Sequence, residues 1–251
     1  MVHGVATHDR GKVIQSWGRI PEILKANGIK VFFGNTDSWA TYESNAEILK
    51  TTIDAIVNET GSEKVNIIAH SKGGLDSRYF IWKYNYGNKV ASLTTISTPH
   101  HGSEIADLLY EKNIVHTDFG KKIFLSFEKF YDDANPDIYN LLYQLTTEKM
   151  KEFNKIVVMD SNVYYQSIYS TMENPSDEPI LSNTHRYIKR VSGDNDGVVS
   201  EHSARWGTNI IKLEGGISHV KIIDHKRRKT SKINIPDIYL NIVKELSQMG
   251  Y

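Results

Sequence analysis

Over its first hundred residues the chain alternates short β-branched runs with a longer segment of helical period. "KVFF" (30–33), "VNIIA" (65–69) and "VASLTTIS" (90–97) are continuous apolar or β-branched stretches whose length suits buried strands. Between the first two, "SNAEILKTTIDAIVNETG" places Ile48, Leu49, Ile53, Ile56 and Val57 on one helical face, and Gly61 suits the exit from that helix. Strand, crossover helix and strand in this order predict βα units and a mostly parallel sheet flanked by helices.

The pattern changes between residues 103 and 155. Short helical pieces such as "KKIFLSFEKFY" and "TTEKMKEFN" carry clustered apolar and aromatic residues, which predicts a small helical cap inserted into the sheet order. Phe124, Phe127, Phe130 and Tyr131 stand at helical spacing, which fits both a substrate-facing surface and the cap's own core. Strand signals return at "VYYQSIY" (163–169), "RYIKRVS" (186–192) and "NIIKL" (209–213). An amphipathic helix, "IPDIYLNIVKELSQ", closes the chain, with Pro236 well placed in its first turn. No repeat divides the sequence, so one α/β domain over residues 1–251 is expected.

Composition narrows the function classes. The 251 residues carry 30 Lys plus Arg against 30 Asp plus Glu, a balance that does not point to nucleic acid or an anionic membrane. With no cysteine, disulfides and thiolate chemistry are excluded. No apolar run approaches the roughly 20 residues of a membrane span, and no signal peptide is visible. If Val2 ends a strand, most of that strand is expected upstream of Met1, together with any export signal.

The candidate chemistry begins at Ser71. A serine hydroxyl is a weak nucleophile unless a base lies within hydrogen-bond reach and the side chain projects where a carbonyl carbon can approach. A tight strand-to-helix turn supplies that projection but crowds the backbone, so the residues two before and two after must be small. Here they are Ala69 and Gly73, followed by Gly74, in "AHSKGG". The same serine could simply cap the helix that follows, and partners elsewhere must decide between the two. They are expected in the order Ser, then Asp or Glu, then His. "GDNDGVVS" (193–200) offers Asp196 in a turn after a predicted strand, with Asp194 as a second candidate, and "GGISHVKIID" offers His219. Taken singly, Asp196 reads as an Asx-type turn residue and His219 as a loop histidine. The backbone N–H of Lys72, at the turn itself, and that of Val5, just past the His3–Gly4 turn, are candidate oxyanion donors.

"VHG" (2–4), "AHSKGG" (69–74), "TPHHGSEIADLL" (98–109), "LTTEKMKEFN" (145–154), "NDGVVS" (195–200) and "SHVKIIDH" (218–225) together resemble the bacterial true lipases. The similarity is to the triacylglycerol lipase group of Pseudomonas, Burkholderia and Proteus. It implies an α/β-hydrolase fold and carboxylic ester hydrolysis, with Ser71, Asp196 and His219 as triad and the amides of Val5 and Lys72 as oxyanion hole. It also implies a lid at 103–155, secretion, and an ester or lipid substrate met at an oil–water interface; no protein partner is expected. Two departures stand out. Ala69 stands where the family usually has Gly, and the side-chain ligand positions of the family's calcium are occupied by Asn174 and Lys221. A cation does not ligate a cation, so no metal is expected here, with the Lys221 ammonium supplying part of the missing charge. On the same machinery the chain could act as a short-chain esterase or polyester depolymerase. A hydrolase-like lipid-binding protein without turnover is the reading from another class.

Two other features carry weaker signals. Adjacent His100 and His101 diverge on extended backbone and lack further ligands, so a loop beside the site mouth is the better reading than zinc. "HKRRK" (225–229) is a basic run of the kind usually found in solvated loops.

Overall fold

A computed structural model describes residues 1–9, 16–112, 117, 133–227 and 233–251. Four strands, β1 (Val65–His70), β2 (Val90–Ile96), β3 (Tyr164–Ser170) and β4 (Asn209–Leu213), form a sheet in the order β1-β2-β3-β4. All three pairings are parallel. Their carboxyl ends therefore lie along one edge of the sheet, where loops from different strands can converge.

Helices cover both faces. On one side α2 (Tyr42–Thr60) and α3 (Lys72–Tyr84) bury Leu49, Ile53, Phe80 and Ile81 against Ile67, Leu93 and Tyr165. On the other, α1 (Ile20–Ala26) and the C-terminal helix Ile235–Gln248 bury Leu24, Tyr239, Ile242 and Leu246 against Ile68, Ile96 and Ile168. Ile67 and Ile68 thus serve opposite cores, as the two-residue period of a strand requires. The α2 register matches the sequence pattern: Leu49 and Ile53 are buried, Thr41 caps the start through Ser44 N–H, and Gly61 ends it at φ +66°.

The stretch after β2 forms three described helices, α4 (Glu104–Glu111), α5 (Ile138–Gln144) and α6 (Thr147–Ile156). The aromatic cluster Phe124, Phe127, Phe130 and Tyr131 lies outside the described residues. In α6, Met150 and Phe153 pack on Tyr42 and Leu75. The buried Arg78 guanidinium fastens the same junction: it lies 3.8 Å from the Trp206 ring centroid and 4.9 Å from that of Phe153, and donates to Asn154 Oδ1 at 2.8 Å. Burial pushes its pKa down to about 9.

Two strand expectations are corrected. "RYIKRVS" lies in a helix, α7 (Ser182–Val191), which buries His185 and Ile188 three residues apart and leaves Val191 exposed. Ile188 and Val191 give the stretch a β-rich composition, but its burial follows the helical period. "KVFF" forms no regular strand either. Met1 reaches this segment, its amine donating to the Phe32 carbonyl at 2.7 Å while the N–H of Gly34, just past the run, donates to the Met1 carbonyl at 2.8 Å. Val2 in turn bridges Ala69 in parallel, which sets the start of the chain beside β1. A largely apolar cavity of about 250 Å³ lies here, lined by Leu24, Val31, Phe33, Ile53, Ile67 and Leu246, at the half of β1 away from Ser71.

Candidate active site

Ser71 occupies the single step between β1 and α3. Its backbone stands at φ +53°, ψ −130°, a strained conformation for a non-glycine residue that lifts the side chain out of the turn. Ser71 N–H donates to the Ile96 carbonyl at 2.9 Å, which ties the turn to the neighbouring strand. The small neighbours are required by contact. A Cβ on Gly73 would stand 2.3 Å from the His3 carbonyl oxygen, one on Gly74 2.1 Å from Thr98 Oγ1, and one on Gly4 2.6 Å from Ser71 Cβ. Ala69, by contrast, is accommodated in the core beside Val2 and Ile67, so its extra methyl is harmless.

The structure brings the distant residues to this turn. His219 Nε2 lies 3.0 Å from Ser71 Oγ, and His219 Nδ1 lies 2.8 Å from Asp196 Oδ2. Because the carboxylate can only accept, Nδ1 carries the proton and Nε2 is left free to take one from the hydroxyl. Asp196 is itself fixed: its other oxygen accepts from the N–H groups of Val198 (3.0 Å) and Val199 (2.8 Å), and it is fully buried. A second strap joins the loops directly, His219 N–H donating to the Asp196 carbonyl at 2.9 Å. Asp194 points elsewhere. It pairs with Lys189 at the surface, which holds its carboxyl below the usual range.

The candidate oxyanion donors belong to the segments that adjoin the serine. Lys72 opens α3, where helix geometry leaves N–H groups without an intrahelical acceptor. Val5 follows Gly4, which approaches Ser71 so closely that no side chain fits between them. The preceding His3 ring lies 2.8 Å from both the Gly4 and Thr36 carbonyls, bracing this loop on Thr36.

Several buried groups near the site escape a one-dimensional reading. The Lys72 side chain folds under the turn to meet Asp76 at 2.7 and 3.0 Å. Asp76 accepts from Asn45 Nδ2 at 2.9 Å, and Asn45 Oδ1 accepts from Asp37 N–H at 2.9 Å. The Asp37 carboxylate then receives the N–H groups of Ala134 and Asn135 at 3.1 and 2.8 Å. A continuous polar chain thus runs from the serine turn to the stretch leading into α5. The i,i+4 spacing of Lys72 and Asp76 was its only sequence signal.

The remaining candidates resolve simply. His100 faces inward to Arg78 and Thr95, while His101 stacks on His202, so the adjacent rings do diverge. Lys226 pairs with Glu178 and Arg227 with Glu22, both at 2.9–3.1 Å. Asn174 caps the short turn Pro175–Asp177, and Lys221 Nζ lies 3.5 Å from the Gly216 carbonyl. Among the described residues no three His, Cys, Asp or Glu side chains converge as metal ligands would.

A parallel sheet with a serine on a strained strand-to-helix turn, facing a histidine from a later loop, defines the α/β-hydrolase class. The sequence agrees. Residues 5–180 match the family described as alpha/beta hydrolase of unknown function (DUF915), and the chain belongs to it. It is 30% identical to triacylglycerol lipase 2 of Saccharomyces cerevisiae over 95% of this chain and 75% of that protein. It is 25% identical to the triacylglycerol lipase of Pseudomonas fragi over 100% of this chain and 96% of that one. The Staphylococcus hyicus lipase structure superposes with a TM-score of 0.71 at 20% identity, covering 99% of this chain and 95% of that one. The protein is a lipase/esterase-like serine hydrolase.

Proposed function

We propose that the chain hydrolyses carboxylic esters of apolar acyl groups through an acyl-enzyme on Ser71. The observation that carries this reading is the unbroken hydrogen-bond chain from Ser71 Oγ through His219 to Asp196, at 3.0 and 2.8 Å. His219 Nε2 takes the hydroxyl proton as Ser71 Oγ attacks the ester carbonyl, and passes it to the departing alcohol. Asp196 holds the imidazole tautomer and stabilises the imidazolium. The amides of Val5 and Lys72 receive the oxyanion. Water, activated by the same histidine, then releases the acid. Lipase relatives, a balanced net charge and the aromatic-rich composition of 103–155, which we read as the lid, support an uncharged lipid ester as substrate. The full-length similarity to the Pseudomonas fragi enzyme supports kinship with the Pseudomonas, Burkholderia and Proteus group.

The test is hydrolysis of p-nitrophenyl butyrate and palmitate by wild type and Ser71→Ala. Wild-type turnover and a loss of at least a thousandfold in the variant are expected; turnover surviving in Ser71→Ala refutes the assignment. We further propose that the activity needs no calcium, since Lys221 places an ammonium beside the Gly216 carbonyl. EDTA should then change neither rate nor melting temperature. A fall in either, restored by calcium, overturns that reading.

A further inference from the structure

His70, the residue before the serine, is fully buried and is not used by the reaction described above. Its Nε2 lies 3.2 Å from the main-chain carbonyl of His219, across 149 residues of sequence. A carbonyl can only accept, so Nε2 carries the proton. The His70 ring also packs against that of His219, with centroids 4.6 Å apart, and meets the edge of Trp17 at 6.3 Å. Trp17 is anchored in turn, its Nε1 donating to Asp9 Oδ1 at 3.0 Å and its ring meeting Tyr239 at 6.1 Å. Burial drives the His70 pKa well below the usual histidine range, so the ring stays neutral beside a histidine that must become charged.

The peptide units of His219 are therefore held on both sides. Asp196 accepts its N–H, and the carbonyl faces His70, whose own backbone continues directly into Ser71. We propose that His70 is a positioning residue, which couples the nucleophile's strand to the base's loop and so sets the distance between Ser71 Oγ and His219 Nε2. A hydrogen bond from the strand end is a rigid reference, because His70 N–H is itself bonded to the Val2 carbonyl at 2.9 Å. The inference rests on the triad reading given above.

The experiment compares His70→Phe, His70→Leu and His70→Gln with wild type. Phe keeps a ring against Trp17 but has no donor, Leu keeps apolar volume, and Gln carries an amide N–H the same number of bonds from Cβ as Nε2. Measured are kcat and KM on p-nitrophenyl butyrate, and the single-turnover rate of Ser71 phosphorylation by diethyl p-nitrophenyl phosphate. Expected are a 10- to 100-fold fall in kcat and in phosphorylation rate for Phe and Leu, KM within twofold, and recovery to within about fivefold of wild type for Gln. The low-field proton NMR signal of His219 Nδ1–H should be lost or broadened in Phe and Leu and restored in Gln. If Phe and Leu phosphorylate at the wild-type rate, or Gln is no better than they are, His70 is packing only and the proposal falls. Wild-type protein that is not labelled at Ser71 would instead refute the triad reading itself, so the two failures are distinct.

Discussion

Replacing Asp76 with alanine isolates the energetics beneath the serine turn. Lys72 is 2% exposed and Asp76 0%, and the carboxylate also accepts from Asn45. Its removal leaves an ammonium and an amide donor buried without that acceptor, and breaking such a pair costs about 3–5 kcal/mol. For a chain of this size the midpoint should fall by roughly 2–4 °C per kcal/mol, hence by about 6–20 °C. Guanidinium unfolding followed by tryptophan fluorescence at pH 7 reads the loss. Lys72→Met/Asp76→Leu should regain most of the loss, since an apolar pair of similar volume commonly replaces a buried ion pair at little cost. A single variant within 1 kcal/mol of wild type, or a double variant no more stable than the single, would refute this account.

Two further outcomes test the site. Asp196→Asn should lower kcat by about 10⁴, because the Val198 and Val199 N–H groups hold the amide oxygen and turn its NH2 donor toward His219 Nδ1, favouring the wrong tautomer, whereas Asp194→Asn, which loses only a surface pair, should stay within about twofold in the same p-nitrophenyl ester assay. Gly73→Ala should lower kcat at least about a hundredfold, because its Cβ would press on the His3 and Val2 carbonyls at 2.3 and 2.7 Å and shift the loop carrying Val5. A variant that retains wild-type kcat would show that this contact does not set the oxyanion hole.

What could be read along the chain was what local physics encodes. The apolar run 65–69 followed by Ser71 and two glycines specifies a strand, a cramped turn and a helix, since each preference acts within a few residues. The same holds for α2, with its apolar face and Gly61 exit, and for the C-terminal helix with Pro236 in its first turn. Local preference failed at 186–192, where a β-rich composition gave way to helical burial of His185 and Ile188. It also failed at 30–33, where a strand-like run forms no regular strand and its Phe32 carbonyl accepts from the Met1 amine.

The choice of partners belonged to the tertiary structure. Asp194 and Asp196 stand two residues apart in one turn, and only the fold turns one toward His219 and the other toward Lys189. The chain from Lys72 through Asp76 and Asn45 to Asp37, and the bond from His70 to the His219 carbonyl, join segments separated by 31 to 149 residues. Their geometry depends on how strands and helices pack, and no short-range preference encodes it. Sequence alone therefore determined that a serine would be presented on a turn and which residue types could serve it; packing decided which of them reach it and what holds them there.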